Sequence, residues 1–230
     1  FILAKAIETQ ILHKRIALVL INTFGTSRKK IILSIMIATA FISMWIANVT
    51  AALLMLPIAL AIILKEETGT SGKSSFSTAL MLGVAYAATI GGVGTLIGSP
   101  TNLILIGIME KLFPDAPPIT FFSWLKIGLP VMLIFLPVVW FYLVKYFRIS
   151  GKLSDDDSII KNELQALGKM TPGEKRVTYV FLLAVFGWVF REGFVFGQTV
   201  IPGWGSLLGL DEYVHDSTVA MFCALLLFIL

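Results

Sequence analysis

The stretch SMWIANVTAALLMLP, Ser43 to Pro57, sets Asn48 and Thr50 in the middle of a long apolar run. None of the thirty-four residues from Ile31 to Leu64 is charged, and Asn48 is the most polar of them. An amide in that setting means one thing in the core of a soluble protein and another in lipid. Composition decides between the two.

Of 230 residues, 57% are hydrophobic and 14% are charged, and the mean hydropathy is +0.89. A soluble domain carries about 25% charged residues, so this chain lacks the polar surface of one. Further uncharged runs cover Ser74–Met109, Ile127–Val144, Val177–Phe190 and Ser217 to the end. A membrane-crossing helix needs roughly 20 apolar residues. The chain therefore reads as an all-α, multi-pass protein of a plasma or bacterial inner membrane, with the lipid bilayer as its first partner. The net charge of +4 follows the loops and forms no patch, which argues against a nucleic-acid partner. Cys223 is the single cysteine, so no disulfide framework exists. The first residues, FILAKAIETQ, show no signal-peptide pattern, and the last, ALLLFIL, are apolar. The sequence reads as a fragment of a longer protein.

Along the chain, Phe1–Leu12 reads as a helix end and His13–Lys30 as a short amphipathic helix lying in the interface. Lys65–Ser75 is polar. A proline-bearing loop (Pro114, Pro117, Pro118) leads to a helix over 120–147 that contains Pro130 and Pro137. Residues 148–173 form a soluble linker. Thr171, Pro172 and Glu174 then spell a helix start with a capping box, and that helix ends near Arg191. An outer loop runs to Asp216, where a last helix begins. Fourteen Lys and Arg residues fall on the side of residues 14–30, 65–73 and 145–176, against Lys111, Lys126 and Arg191 opposite. The basic side is cytoplasmic by the positive-inside rule.

With basic flanks at both ends, Ile31–Leu64 returns to the side it left. As one straight helix it would measure about 51 Å, well over a hydrocarbon core of roughly 30 Å. The reading that fits is a re-entrant helical hairpin over 31–64 with its tip at Asn48. The region 74–112 holds TIGGVGTLIGSPTN, whose Gly91, Gly92, Gly94, Gly98 and Pro100 predict a broken transmembrane helix, interrupted at Gly98–Asn102. Irregular backbone at membrane depth is tolerated only inside protein or along a cavity. Two polar breaks of this kind point to a transporter binding site.

Freed carbonyls and an asparagine oxygen are hard ligands suited to a small cation. Half-helix N-termini offer N–H groups to an anion. Asn48 and Asn102 supply donors and acceptors, and Thr50, Ser99 and Thr101 supply hydroxyls. The competing reading is packing alone, through interhelical hydrogen bonds worth about 0.6 kcal/mol each. Other motifs carry less. The NVT sequon at Asn48 lies at membrane depth. ETGTSGKS lacks the first glycine and preceding strand of a P-loop and reads as a cytoplasmic loop. Gly94 and Gly98 make a GxxxG pair suited to helix packing. His13 and His215 are far apart, and no metal cluster or nucleophile–base pair supports an enzyme or a resident cofactor.

SMWIANVTAALLMLP resembles the first Ser-Asn-Thr signature of the divalent anion:sodium symporters, the di- and tricarboxylate and sulfate transporters. AYAATIGGVGTLIGSPTNLI resembles that family's following broken helix, and LHKRIAL also fits its pattern. The resemblance implies an inverted-repeat transporter that works as a homodimer with an elevator motion. Residues 1–147 would hold most of the first repeat, 148–173 a linker, and 174–230 the start of the second. It implies a sodium site of the Ser43, Ala47 and Gly98 carbonyls with the Asn48 side chain. Substrate contacts would fall at Asn48, Val49 and Ser99, Pro100 and Thr101, beside Thr50 and Asn102. Ala47 and Val49 stand where the signature has serine and threonine, though Thr50 follows directly. The function implied is sodium-coupled symport of dicarboxylates, citrate or sulfate. A proton-coupled or exchange carrier, and a non-transporting helical subunit, are the alternatives.

Overall fold

The computed structural model describes residues 2–24, 27–67, 75–151, 164–196, 199–210 and 213–230. Most of the ETGTSGKS loop, and residues 152–163 of the expected linker, lie outside them. By their contacts the residues form two compact units: Phe1–Leu12, Pro117–Lys126 and Met170–Leu230 in the smaller, His13–Ala116 and Ile127–Lys169 in the larger.

The larger unit is built on α3 (Arg28–Ser43), α4 (Asn48–Glu67) and α5 (Ser75–Gly94), followed by α6 (Pro100–Leu112). α2 (Leu12–Phe24) precedes them. Ser27 caps α3, its side chain accepting from the Lys30 N–H, which satisfies one of the open donors at the helix start. Ile32, Ile35, Met36, Ala38 and Thr39 are fully buried, against α5 and α4. Lipid supplies no hydrophobic drive between helices, so close approach of small residues must do it. Gly83, Ala87 and Gly91 recur every fourth residue along α5, all buried. A Cβ on Gly91 would lie 2.6 Å from the Ala40 Cα, backbone against backbone. The GxxxG pair expected at Gly94 and Gly98 does not share a helix, because α5 stops at Gly94.

The hairpin differs from the expected one at both ends. α3 starts at Arg28, α4 runs on to Glu67, and the turn between them is Met44–Ala47. Asn48 is therefore not the tip; it is the first residue of α4. With 20 residues, α4 is about 30 Å long, so this arm is not short, whereas the 16 residues of α3 reach about 24 Å. The extra turns at the stem are held by charge. Arg28 pairs with the buried Glu66, and its Nη1 donates to the Ser150 carbonyl at 3.2 Å. A carboxylate this buried persists only when paired.

α7 (Phe121–Tyr146) matches the expected 120–147 helix, with Pro130 and Pro137 inside it. Its Trp140 donates to the Lys29 carbonyl at 2.9 Å. Ile127, Leu133, Ile134 and Phe141 on the same helix are each more than half exposed, a surface that needs an apolar solvent. Among the described residues, Ser75–Gly94 and Phe121–Tyr146 are long and apolar enough to cross a membrane.

The smaller unit packs α1 (Ile2–Thr9) with α8 (Pro172–Val189) and α10 (Asp216–Ile229). The capping box at Thr171 and Glu174 is present as the sequence predicts, with bonds of 3.1 and 2.6 Å. The outer loop is more structured than expected: it holds a two-stranded antiparallel hairpin, β1 (Phe194–Phe196) with β2 (Thr199–Ile201), and the short α9 (Trp204–Leu207). Apart from that three-residue pairing, the regular elements of the described residues are helices, in keeping with the all-α reading. Asp216 ties the unit together. Its carboxylate accepts from Arg191 at 2.9 Å and from the Phe121 N–H at 2.6 Å, satisfying an orphan donor of α7's first turn. Arg191 is buried, not a free loop charge, because that pairing draws it in.

Candidate functional site

The hairpin turn and the helix break are fastened to each other within the larger unit. Ser43 ends α3, and its buried hydroxyl lies 2.6 Å from the Ala88 carbonyl of α5 and 3.0 Å from Asn48 Oδ1. The Thr95 hydroxyl, fully buried in the break, donates to the Met44 carbonyl in the turn. Such groups are costly in a dry interior without partners; the Ser43 bonds tie the turn to α5, and the Thr95 bond fixes the break against the turn.

The break itself is Thr95–Ser99, earlier than the predicted Gly98–Asn102. Pro100 opens α6 instead of interrupting it, since its fixed φ suits the first helical position and its missing N–H is one the helix would not use. Gly98 donates its N–H to Thr95 at 3.3 Å. Asn102 braces the kink: its amide nitrogen gives one hydrogen to the Gly92 carbonyl at 2.9 Å and the other to the Thr95 carbonyl at 3.0 Å. The Gly92 carbonyl belongs to the last turn of α5, where no further helical N–H follows to bond it.

Of the residues the sequence nominates for a cation, Ser43, Asn48 and Gly98 are neighbours. Asn48 Oδ1 is bonded to Ser43, and a Cβ built on Gly98 would sit 2.9 Å from the Ser43 carbonyl oxygen. Ala47 immediately precedes α4, and its carbonyl accepts the Ala51 N–H at 2.9 Å. A main-chain carbonyl stands there whichever side chain the position carries.

The nominated anion contacts divide in two groups. Val49 (70% exposed) and the half-buried Thr50 lie in the first turn of α4. Ser99 is buried, Pro100 and Thr101 are exposed, and the Ser99 and Thr101 hydroxyls bond each other at 2.8 Å at the start of α6. Two helix N-termini thus present first-turn N–H groups and positive dipole ends. Asn102 is different from its expected part, because both of its amide hydrogens are engaged in the break. Gly92, Ala88 and Thr95 were not singled out for the site by sequence. A polar Thr95 directly after GGVG was the one available signal.

Hard oxygen ligands beside helix N-termini, without a charged side chain from Ile31 to Leu64 or Ser75 to Met109, suit a small cation and an anion bound next to it. Among the described residues no group of three or more His, Cys, Asp or Glu could hold a transition metal. In the smaller unit, an apolar cavity of about 410 Å³ is lined by Leu183, Phe186, Trp204, Val219 and Phe222 among others. It offers no charged group to an anion.

Comparison with known proteins agrees with this chemistry. A family model described as Citrate transporter matches residues 1–230. A sodium-dependent dicarboxylate transporter of Staphylococcus saprophyticus is 41% identical over 238 residues, covering 100% of this chain and 44% of the relative. The protein of the same description from Staphylococcus aureus strain NCTC 8325 is 40% identical over 239 residues, again covering 100% and 44%. The chain thus spans less than half the length of these relatives. They and the family are membrane transporters, which bears out the multi-pass reading and the resemblance to the divalent anion:sodium symporters. The chain belongs to the citrate transporter family.

Proposed function

We propose that this protein is a sodium-coupled secondary transporter that carries a dicarboxylate or related divalent anion into the cell. The observation that carries the reading is the bond between Ser43 and Asn48 with Gly98 packed against the Ser43 carbonyl. It gathers the hairpin turn and the helix break around oxygen ligands. In this reading sodium sits among the Ser43, Ala47 and Gly98 carbonyls and Asn48 Oδ1. The anion sits against Asn48, Val49, Thr50 and the Ser99–Thr101 segment.

Coupling follows from electrostatics. The site has no lysine or arginine, so helix dipoles alone must hold two negative charges, and each dipole end is worth only about half an elementary charge. A bound cation supplies what is missing, and substrate binds well only after it. The larger architecture goes with this: a hairpin 31–64 re-entrant from the cytoplasm, a first repeat over 1–147, a linker over 148–173 and a second, inverted repeat from 174. The working unit is a homodimer with an elevator motion.

Reconstitution of the full-length native protein tests the reading. Succinate uptake should rise with an inward sodium gradient and stay at background in choline, with citrate and sulfate as competitors to define the anion. Ala47 and Val49, in place of two hydroxyl residues, favour a second reading: a proton-coupled or exchange carrier of the same architecture. Equal uptake in sodium and choline would establish that alternative. Absence of any thermal stabilisation by sodium with anions would indicate a packing role for both breaks.

A further inference from the structure

The geometry points to Gly92 as the positioning residue for the Asn48 amide, an inference that rests on the sodium site proposed above. Asn48 leaves the turn at the start of α4 and its side chain runs straight to α5. A Cβ added to Gly92 would overlap Asn48 Oδ1 and lie 2.8 Å from both its Cγ and its Nδ2. Only a bare Cα leaves the amide its place. Oδ1 also lies 3.0 Å from the Ser43 hydroxyl, which is 2.6 Å from the Ala88 carbonyl. Gly92 is fixed in turn, since its carbonyl accepts the Asn102 amide at 2.9 Å. The three contacts make a chain from α6 through α5 to α4 that sets where one cation ligand stands. Asn102 acts here through the backbone of Gly92, not on the anion.

The contact is unusual in what a methyl group would move. At Gly91 the obstruction is the Ala40 backbone, and a substitution there forces helices apart. At Gly92 the obstruction is the end of one side chain, which can rotate away while α3, α4 and α5 stay packed. Gly92→Ala should leave a folded protein whose Asn48 oxygen is out of place.

The test uses the full-length protein in proteoliposomes and in detergent. Gly92→Ala should raise the sodium concentration for half-maximal succinate uptake at least about tenfold, with the succinate half-saturation at saturating sodium moved far less. Gly83→Ala, on the same helix but facing the flexible Met36 side chain, should leave the sodium half-saturation unchanged. A sodium-free melting cycle supplies an arm independent of transport. Gly92→Ala should lower the melting temperature in the native background and not in Asn48→Ala, where no amide remains to displace. A native protein that ignores sodium would overturn the sodium site and this inference together. Sodium-driven uptake with an unchanged half-saturation in Gly92→Ala, or a melting cycle without coupling, would overturn the positioning role alone.

Discussion

Thr95 donates its hydroxyl to the carbonyl of Met44, joining the break between α5 and α6 to the turn between α3 and α4. Both ends of that bond are buried. Thr95→Val keeps the shape and removes the donor, leaving the Met44 carbonyl unpaired. The expected loss is about 1–3 kcal/mol, read as a lower melting temperature without ligand. An unchanged melting temperature would show that the turn needs no such fastening.

Gly98 contrasts with Gly107 further along the same segment. A Cβ on Gly98 would lie 2.7 Å from the Gly92 carbonyl oxygen and 2.9 Å from that of Ser43, while one on Gly107 meets nothing within 4 Å. Backbone oxygens cannot rotate away. Gly98→Ala should therefore abolish thermal stabilisation by sodium plus succinate, and Gly98→Val should also lower the sodium-free melting temperature. Gly107→Val should keep the ligand-induced shift. If Gly98→Ala kept it too, the break would be a packing kink.

At the hairpin stem, the Glu66 side chain is 5% exposed against 33% for Arg28. Arg28→Ala strands a buried carboxylate, which costs about 3–5 kcal/mol when no partner replaces it. The double change Arg28→Met, Glu66→Leu should recover most of that stability, since apolar replacement of a buried pair is often neutral or better. Melting temperatures of the three proteins check this. A neutral Arg28→Ala would mean that Ser150 and neighbouring groups suffice to close the stem.

The re-entrant reading of the hairpin predicts that cysteines replacing Lys30 and Lys65 both react with an impermeant reagent from the cytoplasmic face. Labelling of the two from opposite faces would require the segment to cross the bilayer an odd number of times, and the re-entrant assignment would fall.

Much of this was legible in the residues. Lipid makes each unpaired polar group expensive, so Asn48 and Asn102 stand out against apolar surroundings. Pro100 after a glycine-rich run signals a break with equal force. The signal was imprecise about position because proline and asparagine suit helix starts as well as helix ends. That ambiguity put the tip at Asn48 and the break at Gly98–Asn102, when Asn48 and Pro100 each open a helix instead.

The sequence by itself determined the class: uncharged runs long enough to enter a bilayer, basic flanks, a hairpin and a broken helix, with polar residues inside both. Only the tertiary structure decided which of the nominated residues are neighbours and which side chains fasten the two breaks together. Ser43 meets Ala88 across 45 positions and Thr95 meets Met44 across 51. Helical periodicity relates residues three and four apart and says nothing about pairs at such distances. The roles of Gly92 and Asn102 depend on how closely two helices approach, and side-chain volume at one position has no meaning until its neighbour across the interface is known.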